Sequence, residues 1–190
     1  MRRLTQPSSA GARRGTVVLV DDSGREIEVA DKIAAHRGEG RLHRAFTCLL
    51  FDEQKRLLLG RRALGKLLWP GYWDATVASH PARGESDLDA TARRVHEELA
   101  VKATNLIRPA AINYHARYDA HWSEREFCAV LLGRLAGSPT PVAGQIDDLA
   151  WVPIDKLAEF TATRPVTPWF LLAWEKLNQD HAGELRRWLG

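Results

Sequence analysis

The chain has 190 residues, 45% of them hydrophobic and 27% charged, which fits one globular domain able to bury a full core. Lys and Arg number 27 against 24 Asp and Glu, a net +3 that is too mild for a nucleic-acid binder but suits an anionic substrate if the cations cluster. No apolar run reaches the ~20 residues of a membrane span, and Cys48 and Cys128 are too few for a disulfide framework, which fits a reducing cytoplasm.

Residues 1–15 carry Arg2, Arg3, Arg13 and Arg14 among Ser and Gly, with no acid and no apolar face. They read as a disordered tail rather than a transit peptide, ahead of a single domain over residues 16–190. Thr16 to Val20 is a β-branched strand, Asp21-Asp22-Ser23-Gly24 its turn, and Glu26 to Val29 the return strand. Arg44 to Phe51 and Arg56 to Gly60 form a second pair around Asp52-Glu53-Gln54-Lys55. Ser86 opens a helix, with Asp89 three residues on as a weaker capping box. Leu88, Ala92, Val95 and Leu99 recur at helical spacing and predict its buried face. Phe127 to Leu135 and Leu149 to Val152 read as strands on either side of the Gly137–Pro141 loop. Trp169 to Leu177 and Gly183 to Leu189 read as closing helices. Strands, one helix, more strands and terminal helices predict an α+β sandwich.

The metal-capable side chains are scattered. His36 and His43 lie seven positions apart, His80 follows a Trp-rich stretch, and Glu124 and Glu126 alternate on a strand and so share a face. Imidazoles and carboxylates together suit a divalent ion. Each element alone reads equally well as a solvated or hydrogen-bonded surface group.

Taken in order, these residues resemble the type I isopentenyl-diphosphate isomerases of the Nudix superfamily. The similarity runs from about Thr16 to Trp169. It rests on Ala35-His36, Arg41-Leu42-His43-Arg44-Ala45-Phe46, Arg61-Arg62-Ala63-Leu64, Trp69-Pro70-Gly71, Ser79-His80-Pro81 and Glu124-Arg125-Glu126-Phe127-Cys128. The resemblance implies an α/β/α sandwich with a mixed sheet. It implies that His36, His43, His80, Glu124 and Glu126 hold zinc, manganese or magnesium, and that Glu126 also protonates the substrate double bond. Tyr114 then stands beside that glutamate, and Trp169 faces the developing cation. From spacing alone, Trp169 reads as a core aromatic. Lys32, Arg62, Lys66 and Arg94 match cations that grip a prenyl diphosphate, the implied small-molecule partner, and a second ion, Mg2+, rides on that diphosphate against Glu98. Arg61 and Arg62 are adjacent on an extended segment, so only one faces the site, and the resemblance selects Arg62. Neither a nucleic-acid nor a membrane partner is implied, and the oligomeric state stays open.

Two departures matter. The Nudix box, Ser79-x5-Glu85-x7-Arg93-Arg94-Val95-His96-Glu97-Glu98-Leu99-Ala100-Val101, lacks the superfamily's Gly at Ser79 and Ala100 and its Glu at Arg94. It keeps both Glu97 and Glu98, a pair that hydrolytic Nudix enzymes use; Glu97 also fits a plain salt bridge to Arg93. And Ala78 occupies the position of the family's catalytic cysteine. Isomerisation adds a proton on one face of the substrate and removes one from the other, and a methyl group carries none. Ser79 is a poor acid, Cys128 shares the strand parity of Glu126, and Cys48 has the opposite parity to His43. The readings left are weak isomerisation or protonation-driven cyclisation by Glu126, hydrolysis of a diphosphate, and a binder without chemistry.

Overall fold

The computed structural model of the chain describes residues 15–189; positions 1–14 of the expected tail lie outside the described residues. In chain order come β1 (Thr16–Val20), β2 (Glu26–Asp31), a one-turn helix α1 (Lys32–Ala35), β3 (His43–Phe51), β4 (Arg56–Arg62), β5 (Trp73–Asp74), β6 (Val77–Ser79), α2 (Asp87–Leu99), β7 (Lys102–Arg117), β8 (Ser123–Ala136) and β9 (Ile146–Pro153). A 3-10 turn (Ile154–Lys156) then leads into α3 (Leu157–Ala162), α4 (Pro168–Asp180) and α5 (Ala182–Leu189).

β3 is the hub of one mixed sheet. It runs parallel to β8 from His43 opposite Glu126 to Phe51 opposite Arg134, and pairs antiparallel at separate points with β1, β6 and β4. Its alternation sorts two cores. Phe46, Cys48 and Leu50 face α2 through Ala90, Val95 and Leu99. Leu49 and Phe51 face α3, α4 and α5 through Leu157, Phe170, Ala173, Leu177 and Leu185. Helices on both faces of the sheet give the expected α/β/α sandwich. Each fully buried Leu in these layers stabilises by about 1.5–3 kcal/mol.

Ser86 caps α2, its Oγ accepting from Asp89 N at 3.1 Å and donating to Asp89 Oδ2 at 2.6 Å. The expected buried face needs correction. Leu88 is 42% exposed and Ala92 is also exposed, whereas Ala90, Thr91, Val95, Glu98 and Leu99 are buried. The helix is rolled so that Glu98 turns inward with Val95, because that edge borders the crevice described below. α2 ends at Ala100, whose φ of 52° occupies the left-handed position a glycine fills without strain.

The sequence reading did not find β7. Its ladder with β8 slips between Thr104 and Ile107 and again between Ile107 and Ala110, Asn105 has φ 52°, and Pro109 falls inside the second slip. Bulges destroy the period-2 signal, and proline argues against a strand unless it sits at such a break. β8 begins at Ser123, four residues before the expected Phe127, and so carries Glu124 and Glu126 on its opening turn of the ladder.

Candidate active site and metal centre

Four segments converge beside the opening of β3. α1 is set by Asp31, whose carboxylate accepts from Ala34 N at 2.9 Å, and it delivers His36 as its C-cap. His43 is the first residue of β3, His80 follows β6, and Glu124 and Glu126 open β8, with Glu126 directly opposite His43. One ligand atom from each of the five lies within 4.8 Å of all the others.

The chemistry of this donor set fits a cation. His36 Nδ1 lies 2.6 Å from Lys32 O, and His43 Nδ1 lies 2.8 Å from Arg41 O. A carbonyl only accepts, so both Nδ1 atoms carry hydrogen, and it is the Nε2 atoms that face the centre. His43 Nε2 sits 3.1 Å from His80 Nε2, and His80 Nε2 sits 3.0 Å from Glu126 Oε1. His36 Nε2 and Glu124 Oε2 are 2.7 Å apart, yet neither buried atom has a hydrogen-bond partner. Lone pairs and carboxylate oxygens crowded around one point repel; a divalent ion that accepts from all of them removes the conflict, and mixed N/O donation suits zinc or manganese. The backbone carbonyls behind His36 and His43 fix ring orientation as second partners do in metal centres. Burial depresses His80 well below its ordinary value, with Lys32 adding to the effect. Against burial, Glu124 lifts His36 above its ordinary value, so protons compete with an ion there.

Glu126 belongs to two arrangements at once. Its Oε1 faces the histidines, while its Oε2 accepts from Tyr114 OH at 2.6 Å. Burial would raise Glu126, but His43 and His80 carry it well below the usual carboxylate range. Burial first, and then Glu126, push the Tyr114 phenol well above its ordinary value, so it remains a donor. The Tyr114 ring lies 6.3 Å from that of Trp169, nearly parallel at 28°. Trp169, 2% exposed, packs edge-on against Trp69 and donates Nε1–H to Asp74 Oδ1 at 2.7 Å.

Above this floor opens a crevice of about 490 Å³, its mouth included, reached by all four expected cations, Lys32, Arg62, Lys66 and Arg94. Arg62 is fixed from three sides, donating to Trp69 O (3.1 Å), Leu68 O (2.9 Å) and Asp74 Oδ2 (3.3 Å). Arg61 instead points to Asp148, 3.8 Å away. Lys66 donates to Gln145 Oε1 at 2.5 Å, and burial pushes its ammonium down to about 8. Burial also lowers Lys32, with Glu124 opposing. Arg94 bonds Glu97 Oε2 at 2.7 Å and also Glu98 Oε1, so the adjacent glutamates close on one guanidinium. Glu97 also lies 3.5 Å from Arg93, the salt bridge its spacing allowed. Glu98 lines the adjoining part of the crevice with Lys66 and Arg62. Asp74 and Gln145 line the same part.

Ala78 lines both parts of the crevice. It pairs directly with Thr47 across β3 and β6, so the two side chains share a face. Thr47 is fully buried and its Oγ1 has no hydrogen-bond partner. Cys128 packs in the Tyr114–Trp169 layer on the Glu126 side, while Cys48 lies in the opposite core under α2. Burial pushes both thiols upward. Sequence reasoning missed Thr47, Gln145 and the role of Asp74. Their signal is topological, since pairing across β6 and the loop before β9 brings them in.

A family model described as NUDIX domain matches residues 41–170. An isopentenyl-diphosphate Delta-isomerase of Streptomyces avermitilis is 43% identical over 169 residues, covering 88% of this chain and 86% of that protein. One from Haloarcula marismortui is 39% identical over 170 residues, 86% of this chain and 91% of its own. Among solved structures, DR0079 of Deinococcus radiodurans superposes with a TM-score of 0.66 at 20% identity, over 84% of this chain and 98% of that one. A MutT NUDIX hydrolase of Burkholderia pseudomallei gives 0.58 at 18%, over 72% and 98%. The distant structures establish the sandwich, and the close relatives place the chain within it: it belongs to the Nudix family and, inside that family, to the isopentenyl-diphosphate isomerase-like enzymes.

Proposed function

We propose that the enzyme protonates the C=C bond of a prenyl diphosphate with Glu126, and that it is a poor interconverter of the two C5 isomers because Ala78 cannot carry the second proton. The observation that carries the proposal is the double engagement of Glu126, inside a five-ligand cage on one side and 2.6 Å from Tyr114 on the other, at the floor of a cation-lined crevice. Lys32, Arg62, Lys66 and Arg94 hold the diphosphate at the mouth, which orients the alkene toward the floor. His36, His43, His80, Glu124 and Glu126 would hold a divalent ion, whose charge would strengthen the Glu126 carboxyl as an acid. Glu126, once it has taken up a proton from water in the crevice, hands that proton to the terminal alkene carbon and returns to the carboxylate, and Tyr114 keeps its second oxygen oriented. The positive charge then develops against the Trp169 face, where a dry cation–π contact stabilises by about 2 kcal/mol. The proton to be lost leaves from the opposite face, beside Ala78. With no acceptor there, slow isomerisation competes with rearrangement or ring closure of a longer chain.

Hydrolysis is the weaker reading. It needs several carboxylates gathered around the diphosphate's metal ions, whereas of the Glu97-Glu98 pair only Glu98 lines the crevice and Glu97 pairs outside it with Arg93 and Arg94. Among the described residues, the only cluster of three or more metal-capable side chains is the His/Glu cage. A turnover screen with C5 to C20 prenyl diphosphates, read for carbon skeleton and for phosphate release, tests the proposal. Glu126→Gln should abolish any new skeleton. Phosphate release that survives Glu126→Gln and disappears in Glu98→Gln would transfer the case to hydrolysis.

A further inference from the structure

Asp74 has no part in the chemistry described so far, yet it is buried at the centre of the site. Oδ1 accepts from Ala75 N at 2.7 Å, from Thr167 Oγ1 at 2.8 Å and from Trp169 Nε1 at 2.7 Å; Oδ2 accepts from Arg62 at 3.3 Å. Every partner is a donor. Ala75 N, Trp169 Nε1 and Arg62 can only donate, and the permanently charged Arg62 beside Oδ2 favours the carboxylate, toward which the Thr167 hydroxyl then turns its hydrogen. Burial does push Asp74 upward, and Arg62 with the three donors opposes it. Thr167 is the N-cap residue of α4 but makes no side-chain cap. Its hydroxyl goes to Asp74 instead, binding β5 to the turn that presents Trp169. The Arg62 Cζ also lies 5.3 Å over the Trp169 ring. One anion therefore holds both the indole and the guanidinium that lies over its ring.

We infer that Asp74 is a positioning residue whose negative charge, through the Trp169 N–H, enriches the indole face that meets the cationic part of the substrate, while partly neutralising the Arg62 guanidinium that meets the diphosphate. An indole that donates to an anion shifts electron density into its ring, and the ring attracts a cation more strongly. Removing the charge acts oppositely on the two ends of the ligand: the cation loses attraction, and Arg62, relieved of its counter-ion, attracts phosphate at least as well. The inference rests on Trp169 being the surface on which positive charge develops.

The test is titration calorimetry on the full, metal-supplemented chain with three probes: inorganic diphosphate, isopentyl diphosphate, and 2-(dimethylamino)ethyl diphosphate, whose protonated amine stands for the cation. Wild type should prefer the ammonium ester to the neutral ester. Asp74→Asn should lose that preference by about 3- to 30-fold, the span of a cation–π contact, with inorganic diphosphate bound equally or more tightly. Trp169→Phe, which removes the donor and leaves the carboxylate, should lose the preference too, and it keeps the test decisive should the Asn variant not fold. Equal weakening of all three probes by Asp74→Asn would mean that Asp74 only holds the fold together, and the inference would fall. So it would if either variant kept the wild-type ammonium preference. A wild type with no preference would remove the role given to Trp169, and the inference with it, whereas a preference insensitive to Asp74 would sink the inference alone.

Discussion

Ala78→Cys is the sharpest perturbation this site offers. Ala78 is half-buried on a crevice wall rather than sealed in a core, so a thiol projects into open space and does not force overpacking. Its nearest cross-strand neighbour is Thr47, whose buried hydroxyl has no partner and can bond the sulfur. Lys32, Arg62 and Lys66 line the same space and favour a thiolate over a thiol. The thiol therefore arrives in a site already shaped for proton transfer, with Glu126 on the other side. A positioned acid–base group contributes about 10²–10⁴-fold, which lowers the barrier by about 2.7–5.5 kcal/mol. The assay is deuterium incorporation from heavy water into isopentenyl and dimethylallyl diphosphate, run on wild type, Ala78→Cys and Ala78→Cys/Glu126→Gln, with thermal melts to confirm folding. The single variant should exchange at least 100-fold faster than wild type, a gain set by the lower end of that range, and the double variant should be silent. A folded, metal-loaded Ala78→Cys no faster than wild type would refute the reasoning, as would brisk exchange by wild type.

Four further outcomes follow from the same geometry. Elemental analysis should find one tightly held divalent ion per chain, and chelation should lower Tm, since binding to the folded state alone stabilises by mass action; loss of the ion should steepen at acid pH as His36 protonates, and a chelator-insensitive Tm would count against the cage. Arg62→Ala should weaken inorganic diphosphate binding by about 1.5–3 kcal/mol and also lower Tm, because it leaves Asp74 without its cation and two carbonyls without their donor. Lys66, at about 8 when folded against 10.5 for the free group, binds fewer protons folded than unfolded between those values. Its contribution to stability should therefore rise with pH across that window while diphosphate affinity falls, and Lys66→Met should flatten both limbs. Thr47→Val should raise stability by about 1 kcal/mol in wild type by removing an unsatisfied buried hydroxyl, and by less in Ala78→Cys, where the thiol satisfies it; equal effects in denaturant melts would show that the two side chains do not meet.

The sequence was most legible where period and chemistry coincide. β1, β3, β4 and α2 carry clean apolar runs or capping signals, and the five metal-capable residues stood out by chemical type although they come from four segments. β7 was illegible because two register slips and Pro109 erase alternation over a strand of 16 residues. The roll of α2 was missed because Leu88 and Ala92 match the spacing of a buried stripe; only the sheet edge decides which side of the helix faces inward. The role of Asp74 was not legible. Its four donors come from positions 62, 75, 167 and 169, and no local pattern announces that β5 meets the first turn of α4.

One wall of the site is built from a short run of chain. Asp74, Ala75, Ala78 and Ser79 all lie on β5, β6 and the residues between them, while the cage draws on α1, β3, β8 and the single His80 that follows β6. β6 is three residues long and pairs with β3 alone. His80 is then anchored by its contacts to His43 and Glu126 rather than by the strand that precedes it. On the proposed mechanism, a wall with a methyl at Ala78 and a carboxylate behind the Trp169 indole would lack a second proton carrier while holding positive charge. Those two features favour a longer-lived cation over its rapid deprotonation, which makes the fate of the cation, more than the capacity to form it, the property in which this enzyme should differ from its relatives.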